Sequence, residues 1–253
     1  MGELNYNLEN KVFVVTGGSR GIGFEIAKQL LAQKSQVVIC GRKQDGLDSA
    51  VSELNSGDNL LAMAAHVAKT EDVERLFNRT VENFGKLDGF INNVGMNIAT
   101  GLVDADPGLW HKIIDSNLNG SFLCSRRAGQ IMREQKRGKI VSISSIAARR
   151  SAPFMGIYGV AKAGIEMMTK VLAQELAPFN IQVNAVAPCM VRTKFSQPFW
   201  SNEEIYEQIV KAIPLGRIAE PIDVVHPTLF LLSEASDFIT GQTMLVDGGA
   251  SAI

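Results

Sequence analysis

Val12-Phe13-Val14-Val15-Thr16-Gly17-Gly18-Ser19-Arg20-Gly21-Ile22-Gly23 is the stretch on which the fold turns. Its first four residues are all apolar, as expected of a strand covered on both faces. Ile22, Ile26, Ala27, Leu30 and Leu31 then recur at helical spacing. The glycines between strand and helix permit a tight turn, close backbone approach to a ligand and close helix packing. The helix N-terminus offers free N–H groups to a pyrophosphate. The spacing is Gly-x-x-x-Gly-x-Gly, not the commoner Gly-x-Gly-x-x-Gly.

The same alternation runs outward along the chain. Strands are predicted at 37–39, 60–64, 87–91, 139–143, 181–186 and 244–246. A polar helix carries Leu47, Val51 and Leu54. The next helix, with Thr70 as its cap, turns Val73, Leu76, Phe77 and Val81 inward. Long helices are predicted at about 107–135 and 155–177. Pro221 opens a last helix at its favoured first-turn position, and Pro227 should kink it. Residues 190–220 break the rhythm. Strand–helix alternation at this spacing implies right-handed crossovers. The expected fold is α/β: one doubly wound domain over 1–253, with a parallel seven-stranded sheet, helices on both faces and a lid at about 190–215.

Bulk properties narrow the function. A chain of 253 residues with 46% hydrophobic content is sufficient for one large core. The net charge of −1 gives no basic field for nucleic acid or an anionic membrane. Cys40, Cys124 and Cys189 are odd in number and far apart, which suits neither a disulfide framework nor a metal site. His66, His111 and His226 are not spaced as metal partners. Residues 1–10 show no apolar signal region, Tyr6 breaks the myristoylation pattern after Gly2, and Ser251-Ala252-Ile253 is not a peroxisomal address. No apolar run is long enough to span a bilayer. A cytoplasmic enzyme with a small-molecule substrate is expected.

The second predicted strand ends Ile39-Cys40-Gly41-Arg42-Lys43. A cofactor with free ribose hydroxyls usually meets an acidic residue there. Arg42 and Lys43 stand instead, with Arg20 close by, and guanidinium forks suit a 2′-phosphate. NADP(H) is therefore expected over NAD(H). Tyr158 and Lys162, four apart on a helix, share one face. A positive charge at ~4 Å is worth roughly 4 kcal/mol at an effective dielectric of ~20. At ~1.36 kcal/mol per unit, that would pull a phenol down by up to about three pKa units, into general acid/base range.

Further features fall in register with this pair. Ser144-Ser145 ends the fifth strand, Asn92-Asn93-Val94-Gly95 ends the fourth, Asn117 lies inside a long helix, and Pro188-Cys189-Met190-Val191-Arg192-Thr193 follows the sixth strand. Together with the glycine loop and Tyr-x-x-x-Lys, these motifs resemble the single-domain branch of the short-chain dehydrogenase/reductase family, from Lys11 to Gly249. The stretches at 66–69 and 194–200 look like the NADP-dependent carbonyl and retinal reductases of that family. A 3-oxoacyl carrier-protein reductase is the alternative, followed by hydroxysteroid and sugar dehydrogenases. A non-catalytic nucleotide sensor of the same architecture is more remote, because such proteins generally lack the tyrosine, lysine or serine.

The resemblance implies that Tyr158 donates and accepts the substrate proton. Lys162 would hold the nicotinamide ribose and lower the tyrosine pKa. Ser145 would hold the substrate oxygen, and Asn117 a water linking Lys162 to solvent. Val191 and Thr193 would meet the carboxamide. Gly17, Ser19, Arg20, Gly21, Ile22, Gly23, Val67, Asn93 and Gly95 would complete the cofactor wall. Three departures stand out: Ala161 where a Ser often precedes the lysine, Cys189 in place of a glycine, and His66 where many members have the Asp that meets the adenine. Phe195, Phe199 and Trp200 would give the lid an apolar inner face. Met96, Ile98, Ala147, Phe154 and Met155 would flank it, favouring an apolar or aromatic ketone or aldehyde. Arg149 and Arg150 are candidates to meet an anionic carrier. Surplus apolar residues on the Tyr158 helix, among them Met167 and Val171, fit a subunit face, and the family commonly forms homotetramers.

Overall fold

The computed structural model describes residues 5–252; the readings made at Gly2 and Ile253 lie outside them. Val12–Thr16 forms β1, and its side chains alternate between two cores. Phe13 and Val15 join one apolar cluster, whereas Val14 joins the other. A strand buried on both faces requires this apolar run, because each face meets helices and neither meets water.

Gly21–Ala32 is α1, Gln36–Gly41 β2, Gln44–Leu54 α2, Leu60–Ala64 β3, Thr70–Phe84 α3 and Gly89–Asn92 β4. Pro107–Ile114 is α4 and Gly120–Gln135 is α5, joined by a π-helical turn at Asp115–Asn119. Gly138–Ile143 is β5, Gly156–Leu176 α6 and Ile181–Pro188 β6. Two short helices follow, α7 at Gln197–Trp200 and α8 at Glu203–Lys211, then α9 at Pro221–Leu232 and β7 at Thr243–Val246. The strands form one seven-stranded sheet in the order β3-β2-β1-β4-β5-β6-β7, and every pairing is parallel. The doubly wound fold read from the sequence is therefore correct. Residues of α1, α2 and α9 fill one core cluster, and residues of α3, α5 and α6 fill the other.

Local signals set the helix starts. Asp106 caps α4, accepting the Leu109 N–H at 3.0 Å, with Pro107 in the first turn. The expected Thr70 cap is not made. Thr70 is already helical, and it is Asp72 that closes the approach to α3 by accepting the His66 N–H at 2.8 Å. The single helix expected over 107–135 is interrupted by the π turn around Asn117. Pro227 stands inside α9, which remains one helix. No helix among the described residues is long and apolar enough to cross a membrane.

The topology reverses between β1 and β4: from β1 the chain first builds outward through β2 and β3, then returns to the other side. Ligands of open α/β sheets sit beyond the carboxyl ends of the strands at such a point. The loops after β1, β2, β4, β5 and β6 all open onto one cavity there.

Candidate active site

The cavity holds about 1010 Å³ and takes its walls from the glycine loop, the strand ends and the 190–215 segment. At its floor, the turn after β1 passes through Gly17 with φ +67°, a backbone region that L side chains rarely adopt. A Cβ on Gly23 would stand 2.5 Å from both the Gly17 carbonyl oxygen and Asn93 Nδ2, so only a hydrogen lets α1 start this close to the loop. A Cβ on Gly18 would meet Ile39 at 2.5 Å.

Asn93 fastens the loop to β4. Its Nδ2 donates to the Thr16 carbonyl at 2.9 Å, and its backbone N–H donates to Thr16 Oγ1 at 2.9 Å. Exposed Arg20, Arg42 and Lys43 line the cavity at this end. Ser19, Gly21, Ile22, Val67 and Gly95 stand in the same wall. His66 is there too, and its Nδ1 accepts the Ala68 N–H at 3.2 Å. A glycine cradle without Cβ atoms at a helix N-terminus, beside three cations, fits a dinucleotide phosphate.

Ser145, Tyr158 and Lys162 line the other end. Ser145 leaves β5 in an extended conformation, and its hydroxyl accepts the Ala147 N–H at 3.2 Å. Tyr158 and Lys162 lie on consecutive turns of α6, both buried. The Lys162 ammonium donates to the Ile143 carbonyl at 2.7 Å and sits 5.5 Å from the centre of the Tyr158 ring.

The electrostatic expectation for this pair is overturned. Burial pushes the Tyr158 phenol up to about 12, with a hydrogen bond from Ser145 opposing it. The same burial pushes Lys162 down to about 8. Loss of water disfavours phenolate and ammonium alike, and it is the leading cause of both shifts.

Asn117 is fully buried in the π turn, and its side chain is spent on backbone: it bonds to Met96 and to the Ile113 carbonyl. Its own carbonyl accepts the Ser121 hydroxyl. A Cβ placed on Gly95 would lie 3.0 Å from Asn117 Oδ1 and 3.5 Å from Lys162 Nζ, so the three residues meet at one point.

Val191 is buried and pairs with Ala219, while the Thr193 N–H donates to Ser196 Oγ at 3.2 Å. Both line the cavity. Phe195 packs its ring 6.3 Å from that of Tyr158, and Phe199 joins the wall. Trp200 does not. Its Nε1 donates to the Thr193 carbonyl at 3.2 Å and Arg192 covers its ring, so it anchors the segment instead.

Met96, Ala147 and Met155 are in the wall as expected, but Ile98 and Phe154 are not. Phe154 sits in a left-handed turn, φ +61°, and its side chain faces outward, 64% exposed. Burial pushes the Cys189 thiol up, and it borders the cavity with its Sγ 3.7 Å from the Met190 carbonyl.

Three contributors escaped the sequence reading. Glu166 is buried one turn beyond Lys162 and accepts from Arg149 Nε at 2.8 Å and Ser144 Oγ at 3.2 Å. The i, i+4, i+8 spacing of Tyr158, Lys162 and Glu166 was the available signal. The α8 residues Ile205, Gln208 and Ile209 also line the cavity, as does Ala250 from the C-terminal return.

A switch-point cavity with a glycine cradle at one end and Ser-Tyr-Lys at the other defines a dinucleotide-dependent oxidoreductase. A family model described as enoyl-(acyl carrier protein) reductase matches residues 17–251. Dehydrogenase/reductase SDR family member 4 of Homo sapiens is 37% identical over 244 residues, 96% of this chain and 88% of that protein. A 3alpha-hydroxysteroid dehydrogenase of Mediterraneibacter gnavus is 35% identical, covering 96% of this chain and 98% of that protein. The structure of a short-chain type dehydrogenase/reductase from Mycobacterium ulcerans superposes with a TM-score of 0.94 at 30% identity, covering 98% of this chain and 92% of that one. The chain belongs to the short-chain dehydrogenase/reductase family and is an oxidoreductase of that type, working with a nicotinamide nucleotide, NAD(P)(H).

Proposed function

We propose that this enzyme is an NADP(H)-dependent reductase of apolar or aromatic ketones and aldehydes, with Tyr158 as the general acid. The observation that carries the reading is the convergence of Ser145, Tyr158 and Lys162 on the cavity whose opposite end holds the glycine cradle. Arg20, Arg42 and Lys43 favour the 2′-phosphate, since no carboxylate lines that end to receive free ribose hydroxyls.

Gly17, Ser19, Gly21, Ile22 and Gly23 cradle the pyrophosphate. Val67, Asn93, Gly95, Val191 and Thr193 border the rest of the nucleotide. Bound there, the cofactor supplies the hydride that the substrate carbon receives. Ser145 Oγ holds the carbonyl oxygen and the charge that develops on it. Tyr158, kept protonated by burial, delivers its proton to that oxygen. Lys162 holds the ribose and, as a cation, stabilises the tyrosinate left behind. Asn117 fixes the chain beside Lys162, where a water relays protons to solvent.

The 190–215 segment acts as a lid, and its aromatic inner face selects apolar substrates. A hydroxysteroid substrate is the second reading, favoured by the same apolar wall and by the 35% identical hydroxysteroid dehydrogenase. Exposed Phe122 on α5, with Val160, Met167 and Val171 on α6, supports packing of these helices across a homotetramer dyad. The enzyme is read as cytoplasmic.

The test is nucleotide oxidation with a panel of aryl and alkyl ketones and aldehydes. NADPH should give a kcat/KM at least ~10-fold above NADH. Tyr158→Phe should lose about 10²–10⁴-fold in kcat while still taking up nucleotide. Equal or better use of NADH would remove the NADP assignment, and undiminished turnover by Tyr158→Phe would remove the mechanism.

A further inference from the structure

Among the described residues, six lysines and arginines line the cavity, Arg20, Arg42, Lys43, Arg150, Lys162 and Lys194, together with His66. No aspartate or glutamate among the described residues lines it. Nucleotide phosphates account for the three that follow β1 and β2. Arg150 is different, because it follows β5. That strand lies three strand spacings from β2, roughly 14 Å across the sheet. Arg150 therefore belongs to the substrate end, with Ala147, Ala152 and Met155 beside it in the wall.

The neighbouring arginine supplies a contrast. Arg149 is neutralised by buried Glu166 at 2.8 Å. Arg150 has no carboxylate among the described ion pairs; its Nη1 donates at 2.8 Å to the backbone carbonyl of Ala250. A carbonyl occupies one of five N–H donors and fixes where the guanidinium sits, but it cancels no charge. Ala250 is itself buried, in a return held by Asp247, whose carboxylate accepts the N–H groups of Gly249 and Ser251 at 3.1 and 2.9 Å. The guanidinium is thus braced by a residue of the cavity wall itself, with donors left for a second partner. Ala147, Ala152 and Met155, which share the cavity wall with it, give an apolar spacer side chains to pack against.

We propose that Arg150 forms an oxyanion subsite, and that the ketone reduced by this enzyme carries a carboxylate at the far end of an apolar spacer. This rests on the carbonyl-reductase reading and names its substrate class: oxo acids, converted to hydroxy acids. The carboxylate is a handle; it takes no part in bond making or breaking. A planar carboxylate can meet a guanidinium edge through two parallel hydrogen bonds, which orients the substrate as well as holding it.

The experiment uses ketone pairs that differ only in a terminal carboxylate or carboxamide, over a series of spacer lengths, with NADPH. For at least one spacer the wild-type enzyme should prefer the acid by ten-fold or more in kcat/KM, mostly through KM. Arg150→Gln should reduce that acid/amide ratio at least ten-fold, and Arg150→Lys should recover part of it. No acid preference at any spacer, or an Arg150→Gln enzyme slowed equally on acid and amide, overturns the proposal. Calorimetric binding of the same acids and amides to Tyr158→Phe enzyme with NADP(H) separates the two readings. An Arg150-dependent preference there, without turnover by the wild-type enzyme, keeps the subsite and discards the reductase. Binding without preference, alongside normal turnover of neutral ketones, keeps the reductase and discards the subsite.

Discussion

Asn117 brackets the backbone of Met96: its Nδ2 donates to the Met96 carbonyl at 2.8 Å and its Oδ1 accepts the Met96 N–H at 3.3 Å. The same Nδ2 reaches the Ile113 carbonyl at 2.8 Å. One buried amide thus ties the π turn to the loop after β4 that carries Gly95 and Met96. Asn117→Ala leaves these backbone groups without their partner, at about 1–3 kcal/mol for a buried group left unsatisfied. The variant should unfold at a lower urea concentration. Its kcat should fall more than ~10-fold, because the Met96 wall and the Lys162 surroundings loosen together. A variant with wild-type midpoint and wild-type kcat would show the bracket to be idle.

Glu166 holds the serine-bearing loop against α6. It accepts from Ser144, the residue before Ser145, and from Arg149 beyond the short helix at Ile146–Ala148. Glu166→Gln keeps the shape but replaces one of the two accepting oxygens by an NH2 donor and removes the charge opposite Arg149. Arg149 is 41% exposed, so solvent screening keeps the stability cost modest, about 1 kcal/mol. The larger effect should be a several-fold fall in kcat with the nucleotide KM unchanged, since Ser145 is displaced and the glycine cradle is not. Equal losses in both parameters would assign Glu166 a general structural role.

Burial pushes Lys162 down to about 8, against an ordinary value of 10.5. Its folded form therefore binds fewer protons than the unfolded chain between those values, and stability rises with pH across that window. Lys162→Met removes the effect. Relative to wild type, the variant should be most favoured below pH ~8, and its relative stability should drop by up to about 3 kcal/mol as pH rises to ~10.5. Chemical denaturation of both proteins across that range checks the sign; a constant difference would contradict it. In the wild-type enzyme, the ketone reduction rate should decline as pH rises through about 8, because Lys162 loses its charge there.

The order of strands and helices was legible because each element carries its own pattern. The run Val12-Phe13-Val14-Val15 suits a strand buried on both faces, and the glycines after it permit what a Cβ at Gly18 or Gly23 would block. Ser145, Tyr158 and Lys162, singled out by spacing and by resemblance, do line one cavity, whereas Asn117 is not in its wall. Less legible were side-chain directions within loops. Ile98, Phe154 and Trp200 have the right chemistry for a cavity wall, yet backbone turns and local hydrogen bonds aim them elsewhere.

By itself, then, the sequence determined the parallel sheet, its two apolar faces and the position of a phosphate-ready turn, since these follow from periodicity and from residues that lack side chains. Tertiary structure alone decided the electrostatics. Two residues four apart on a helix promised a phenol made acidic by an ammonium. The fold buries both, and the loss of water raises one and lowers the other. It also decided which arginine is spent: Arg149 meets Glu166, seventeen positions away, while Arg150 meets a carbonyl one hundred positions away and keeps its charge. Charge and desolvation depend on what the whole chain packs around a group, and no local stretch of residues specifies that.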